Sequence, residues 1–293
     1  MYEVYASDSG SDNAALTART LELVRQGRSG IVTDVDGTIS PIAQRPEQAF
    51  VLPAAQRALE GLRDRLTVVA IVTGRSVLDA RRMVGVDGLT YIGNHGLEVF
   101  RGGRAEIAPE ARPWVPRLAA VLAQVIEGMD PALTAGAIVE NKGATATLHY
   151  RLTPDPDQAR QHLLEVLTRC ALTSGLRIEE GRRVFNLLPP LTVTKGWAVG
   201  WLVREHALDA VVYLGDDTTD MHAFRALDLL RQTGQVRTLG IGVVGPETPA
   251  SVGQLADATV PSVAAVAELL CGVLEGLKSS DRMDSRAPGV GSE

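Results

Sequence analysis

Asp34 and Asp36 stand two residues apart in Gly30-Ile31-Val32-Thr33-Asp34-Val35-Asp36-Gly37-Thr38. At the end of an extended strand, that offset turns both side chains to the same side. Two carboxylates held so close repel, so one gains a proton or both share a cation. Asp-Gly is also ordinary turn chemistry, and the pair alone leaves both readings open. A second acidic cluster, Gly215-Asp216-Asp217-Thr218-Thr219-Asp220, follows the apolar run 211–214. Asp217 or Thr218 there could cap a helix, with the acids matching its dipole. A cap does not explain why two strands of one sheet both end in carboxylates, which destabilise one another unless a cation lies among them. Oxygen donors with no His or Cys among them suit Mg²⁺ rather than zinc. Asp34, Asp36, Asp216, Asp217 and Asp220 are therefore the candidate metal-site residues.

Lys195 opens a helical stretch after Thr192-Val193-Thr194. A lysine in the first turn is mildly unfavourable against the positive helix end. It is tolerable on an exposed surface, and an anion bound at that terminus would turn the cost into a gain. Thr73 follows the apolar run 68–72 and offers a hydroxyl, and Gly74 leaves room for backbone N–H groups to approach an anion. Together these residues supply a nucleophile, an acid, a metal cradle, a hydroxyl and a cation, which phosphoryl transfer requires.

The elements that must position them follow from the pattern. Short apolar runs at 30–33, 66–72, 89–92 and 210–214 each end in a polar cluster, and amphipathic stretches such as 54–65 and 76–84 separate several of them. That alternation predicts βαβ units, a doubly wound and mainly parallel sheet, and ligands beyond the carboxyl ends of its strands. Between 103 and 190 the pattern changes to helix (112–126), hairpin (137–151), helix (157–173), hairpin (177–188), an inserted α+β domain. The expected division is an N-terminal extension over 1–27, a core over 28–102 and 191–277, a cap over 103–190, and a disordered tail over 278–293.

In order along the chain, the Asp34–Thr38 segment, Thr73, Lys195 and the Gly215–Asp220 segment resemble the four motifs of the haloacid dehalogenase superfamily. Thr73-Gly74-Arg75, Gly93-Asn94-His95-Gly96-Leu97-Glu98, Val139-Glu140-Asn141-Lys142-Gly143, Leu148-His149-Tyr150-Arg151 and Lys195-Gly196 resemble its trehalose-6-phosphate phosphatases. The resemblance covers nearly all of 28–275. It implies that Asp34 attacks phosphorus to form an aspartyl-phosphate, and that Asp36 serves as acid and then base. Mg²⁺ is expected on the Asp34 carboxylate, the Asp36 carbonyl and Asp216, with Asp217 and Asp220 as orienting acids. Thr73, Lys195 and the N–H groups near Gly37 and Thr38 are expected to hold phosphate oxygens. Glu140, Lys142 and Arg151 match the family's sugar contacts, and Gly74, Arg75, Asn94, His95 and Gly96 are further candidate substrate residues. Where the family usually has a second cap glutamate this chain has Asn186, a neutral and weaker acceptor. Another sugar or polyol phosphate thus stays open beside trehalose 6-phosphate, as does a sugar-phosphate-binding domain without catalysis.

The remaining sequence narrows the class. Of 293 residues, 45% are hydrophobic and 22% charged, with a net charge of −6, which gives no basic face for nucleic acid. The two cysteines, Cys170 and Cys271, lack metal or disulfide spacing. No run is long enough to span a membrane, and acids stand where a signal peptide carries bases, so a cytoplasmic protein is expected. A monomer is the expectation, although nothing in the sequence sets the assembly. Gly240-Ile241-Gly242-Val243-Val244-Gly245 fits a dinucleotide-binding pattern, yet its apolar spacing and Pro246 predict a strand.

Overall fold

Apolar, β-branched runs bury both faces when they pair in parallel, and the computed structural model, which describes residues 9–284, places them in that way. The chain opens with α1 (Ser9–Arg25), β1 (Ser29–Thr33), α2 (Pro53–Arg63), β2 (Val68–Val72), α3 (Val77–Val84) and β3 (Thr90–Gly93). A hairpin of β4 (Glu98–Arg101) and β5 (Arg104–Ile107) follows. The cap contains α4 (Trp114–Gly128), α5 (Pro131–Thr134), β6 (Ile138–Asn141), β7 (Ala146–His149), α6 (Pro156–Ser174), β8 (Arg177–Gly181) and β9 (Val184–Leu188). The chain then returns through α7 (Lys195–Glu205), β10 (Ala210–Gly215), α8 (Met221–Gln232), β11 (Arg237–Val243), α9 (Ala250–Leu255), β12 (Ala258–Val260) and α10 (Val263–Asp284).

The main sheet runs β12-β11-β10-β1-β2-β3-β4-β5. It is parallel from β12 to β3 and antiparallel in the last two pairings. Strand alternation sorts side chains between the two faces. Ile31, Val69, Ile71, Val212 and Leu214 pack with α1, α2, α3 and α10. Val32, Val68, Ala70, Val211 and Tyr213 pack with α7 and α8. With both faces covered, the carboxyl edge is where polar groups can meet a ligand, and β1, β2 and β10 deliver Asp34, Thr73 and Asp216 to it. Gly240 and Gly242 lie inside β11, so the glycine pattern is a strand, as its spacing predicts.

In the cap, the sheet order is β6-β7-β9-β8, antiparallel throughout. Ala146, Leu148, Phe185 and Leu187 face α4 and α6 and form a separate core with Leu118, Val121, Leu163 and Leu167. Their neighbours in the alternation (Glu140, Thr147, His149 and Asn186) take the opposite face. A small cluster of Leu97, Ala111 and Ala144, flanked by Leu191 and Val193, joins cap to core.

Three boundaries differ from expectation. β5 belongs to the main sheet, so the core keeps the chain to Ile107, because β4 turns back through Gly102-Gly103, both at positive φ. α1 is no appendage, since Leu16 and Val24 enter the main core. Residues 278–284, expected to be disordered, continue α10; Lys278 pairs with Glu275 at 2.7 Å and nothing in that stretch breaks a helix. The rest of the expected tail, and residues 1–8, lie outside the described residues.

Candidate active site

Asp34 leaves β1 with its side chain 7% exposed, and its Oδ2 lies 2.8 Å from Lys195 Nζ. Lys195 is the first residue of α7, capped by Thr194, whose hydroxyl accepts from Trp197 N. It is buried rather than exposed, with 2% of its side chain accessible. Gly196 lets the helix come this close, since a Cβ there would lie 2.2 Å from the His222 carbonyl on α8. The ammonium also lies 2.7 Å from Asp220 Oδ1, and two anionic partners raise its pKa against the opposing effect of burial.

Asp34, Asp216 and Asp220 bring carboxylate oxygens within 4.8 Å of one another. Their hydrogen bonds tell them apart. Asp220 Oδ1 accepts from Lys195 and from Tyr213 OH at 2.7 and 2.5 Å, and Oδ2 accepts from the Asp216 and Asp217 amides at 2.9 Å each. Both of its oxygens are engaged, so it orients its neighbours. Asp217 Oδ1 accepts from Thr218 N at 2.7 Å, which makes it the cap of the turn that follows. Asp216 Oδ1 accepts from Thr38 Oγ1 at 2.9 Å. Asp34 Oδ1 and Asp216 Oδ2 are buried without a hydrogen bond. Arg182 lies 3.0 Å from that Asp216 oxygen, but its hydrogen bonds go to the Asp216 carbonyl and Thr248.

Burial raises the Asp34 pKa to about 7 although Lys195 pulls it down, and it raises Asp216 well above the carboxylate range. Two orphaned carboxylate oxygens, with no nitrogen or sulfur ligand in the cluster, fit a hard divalent cation.

Above this edge a cleft of about 580 Å³ separates core from cap. Asp34, Asp36, Asp216 and Asp217 line it with Thr73, Gly74, Arg75 and His95 from the core, and with Glu140, Lys142, Arg151 and Asn186 from the cap. Asp36 receives a two-pronged hydrogen bond from Arg75, at 2.6 and 2.8 Å, and Arg75 also reaches Asp79 at 2.6 Å. Lys142 Nζ bridges the domains to the Gly74 carbonyl at 2.9 Å. His95 lies in the left-handed region, and burial pushes its pKa well below 6.5, so the ring is neutral.

Several candidates serve the site from behind. The Gly37 and Thr38 amides, expected on phosphate, instead donate to the Ser40 and Val35 carbonyls at 2.7 and 3.2 Å. Gly37 is required for space, because a Cβ would lie 2.0 Å from Asp216 Oδ2 at a φ of +82°. Asn94 donates to Glu98 Oε2 and the Lys142 carbonyl and accepts from Thr145 Oγ1 at 2.6 Å, so its amide joins cap to core instead of facing substrate. Gly96 lies behind that junction, close to the Thr194 carbonyl. Sequence reasoning missed Thr147, His149, Arg182 and Arg183, all in the cleft wall. Alternation with Glu140 and Asn186 could have found the first two; the arginines occupy a two-residue hairpin turn that carries no comparable signal.

Comparison with known proteins adds to this geometry. The model of the Trehalose-phosphatase family matches residues 32–246. An uncharacterized glycosyl hydrolase of Mycobacterium tuberculosis is 34% identical over 225 residues, 74% of this chain and 16% of that protein. The probable trehalose-phosphate phosphatase D of Arabidopsis thaliana is 29% identical over 235 residues, 74% of this chain and 59% of that protein. The chain therefore spans between about one-sixth and three-fifths of these curated relatives. Among solved structures, the C-terminal domain of the C. albicans trehalose-6-phosphate phosphatase superposes with a TM-score of 0.73 at 22% identity, covering 90% of this chain and 97% of that one. A match that takes in the strands at the site and the whole cap is a match to this architecture, and the chain belongs to the trehalose-phosphatase family.

Proposed function

We propose that this chain hydrolyses the phosphate monoester of a sugar, with trehalose 6-phosphate the leading substrate, through an aspartyl-phosphate on Asp34. The observation that carries the reading is the pair of buried oxygens without a hydrogen bond, Asp34 Oδ1 and Asp216 Oδ2, at the floor of the cleft. The Asp34 carboxylate attacks phosphorus in line, with Lys195 held beside its Oδ2. The phosphorus–oxygen bond to the sugar breaks, and Asp36 returns a proton to the departing oxygen. In the second half Asp36 takes a proton from the water that hydrolyses the acyl phosphate. Arg75 orients the Asp36 side chain for both steps through two hydrogen bonds. The Thr73 hydroxyl, which accepts from Arg75 N at 3.3 Å, keeps its own proton for a phosphoryl oxygen. Mg²⁺ bound by Asp34 and Asp216 would neutralise charge between nucleophile and phosphoryl dianion.

Glu140, Lys142 and Arg151 give the sugar its contacts in this reading. Asn186, in place of a glutamate, favours testing related esters beside trehalose 6-phosphate. The test is phosphate release from trehalose 6-phosphate, glucose 6-phosphate, sucrose 6-phosphate and mannosyl-phosphoglycerate. The expected outcome is the highest kcat/KM on trehalose 6-phosphate, lost in EDTA and restored by Mg²⁺. Turnover that survives metal removal overturns the cation's place in it. A tenfold preference for another ester moves the assignment to that substrate.

A further inference from the structure

β7 is the central strand of the cap wall, paired with β6 on one side and β9 on the other. Thr147 and His149, two residues apart, share its cleft-facing side. Each reaches sideways to a neighbouring strand. His149 Nε2 lies 2.7 Å from Glu140 Oε2 on β6, and Thr147 Oγ1 donates to Asn186 Oδ1 on β9 at 2.9 Å. An ionised carboxylate only accepts, so the proton of the first contact sits on His149 Nε2. Glu140 is kept ionised by that bond and by Lys142 at 3.7 Å, which together outweigh its burial. On the other side, the Thr147 hydroxyl donates to the Asn186 amide oxygen, which fixes which end of the amide is turned toward β7. The amide Nδ2 has no hydrogen-bond partner among the described residues, and Asn186 lines the cleft.

We propose that Thr147 and His149 are positioning residues that fix the direction of hydrogen bonding in the sugar-binding wall. His149 holds Glu140 as an acceptor of sugar hydroxyls; Thr147 turns Asn186 so that it donates to a sugar oxygen. The chain thereby presents one acceptor and one donor on either side of β7. This rests on the proposed sugar-phosphate hydrolysis. A site that hydrogen-bonds substrate discriminates strongly when one donor is replaced by a mismatched group.

The experiment compares kcat and KM for the best sugar phosphate of the panel with those for p-nitrophenyl phosphate, which has no sugar. Thr147→Val and His149→Leu are expected to raise KM for the sugar phosphate about tenfold while kcat on p-nitrophenyl phosphate falls less than twofold. Thr147→Ser and His149→Gln, which keep a donor, recover most of the loss. Asn186→Asp replaces the donor with an acceptor, and a loss of tenfold or more in kcat/KM is expected. Thermal melts run alongside show whether each variant is folded. Equal losses on both substrates, or no rescue by the conservative variants, overturn the positioning role. A gain from Asn186→Asp overturns the donor assignment. A wild-type chain that cleaves p-nitrophenyl phosphate but no sugar phosphate overturns the functional reading itself, a result distinct from the others.

Discussion

On the core side of the cleft, Lys195, Asp34 and Asp220 have side chains only 2%, 7% and 0% exposed. On the cap side, Glu140, His149 and Arg151 are 32%, 22% and 23% exposed. The core group sets two carboxyl groups around one ammonium away from solvent, where every interaction is strong and each missing partner is costly. The cap group meets water, and its contacts are partly exposed: His149 with Glu140, and Arg151 with the Arg182 carbonyl and Glu247. Chemistry at phosphorus needs the first kind of environment, because developing charge is stabilised by groups that are already fixed. The proposed discrimination between sugars needs the second, a set of directional hydrogen bonds.

The contrast can be broken at four points. Asp34→Asn removes the proposed nucleophile and is expected to lower kcat by a factor on the order of 10⁴ or more on every substrate, sugar or not. A variant with a tenth of wild-type turnover would place the reaction elsewhere. Lys195→Met leaves Asp34 and Asp220 buried without their shared cation and is expected to cost about 3–5 kcal/mol in chemical denaturation. A loss below about 1 kcal/mol would mean that the cluster tolerates its own charge. Glu140→Gln, on the cap, is expected to raise KM for the sugar phosphate roughly tenfold, about 1.4 kcal/mol, with stability unchanged. If it destabilised the fold as Lys195→Met does, the two sides of the cleft would not differ as described.

The smallest effect concerns pH. His95 is buried and neutral, its pKa held well below 6.5 by burial and by Lys195 and Lys142. The unfolded chain therefore takes up a proton near pH 6.5 that the folded chain refuses. Stability from this residue is lost as pH falls below about 6.5, by at most about 1.4 kcal/mol per unit. Asp34, whose pKa burial raises to about 7, works in the opposite direction over that range. The measurement is thus the difference between wild type and His95→Gln in denaturation curves from pH 7 to 5. A difference that does not change with pH would show that folding leaves the His95 pKa unshifted, and overturn its burial as a neutral ring.

The parts of the site that could be read from the chain are those set by strand ends. Asp34, Thr73 and Asp216 each follow an apolar run, and parallel pairing carries all three to one edge. Arg151 and Lys142 were legible through the resemblance, and both line the cleft. The roles of Gly37, Thr38 and Asn94 were not. Their amides are engaged by Ser40, Val35, Glu98 and Thr145, partners chosen by how the loop folds back and how the cap docks. The continuation of α10 past 277 was likewise hidden, since a polar stretch with neither Gly nor Pro is compatible with helix or with disorder until a preceding helix extends into it.

Sequence alone determined which side chains share a face and which strand ends carry charge, because alternation and turn chemistry are local properties of a few neighbouring residues. Only the tertiary structure decided which oxygens of the acidic cluster stay without a hydrogen bond. That depends on donors from β10, α7 and the loop after β1, up to 178 residues away along the chain as Thr38 is from Asp216. A hydrogen bond is satisfied by distance and angle in space, and no spacing along a sequence specifies either.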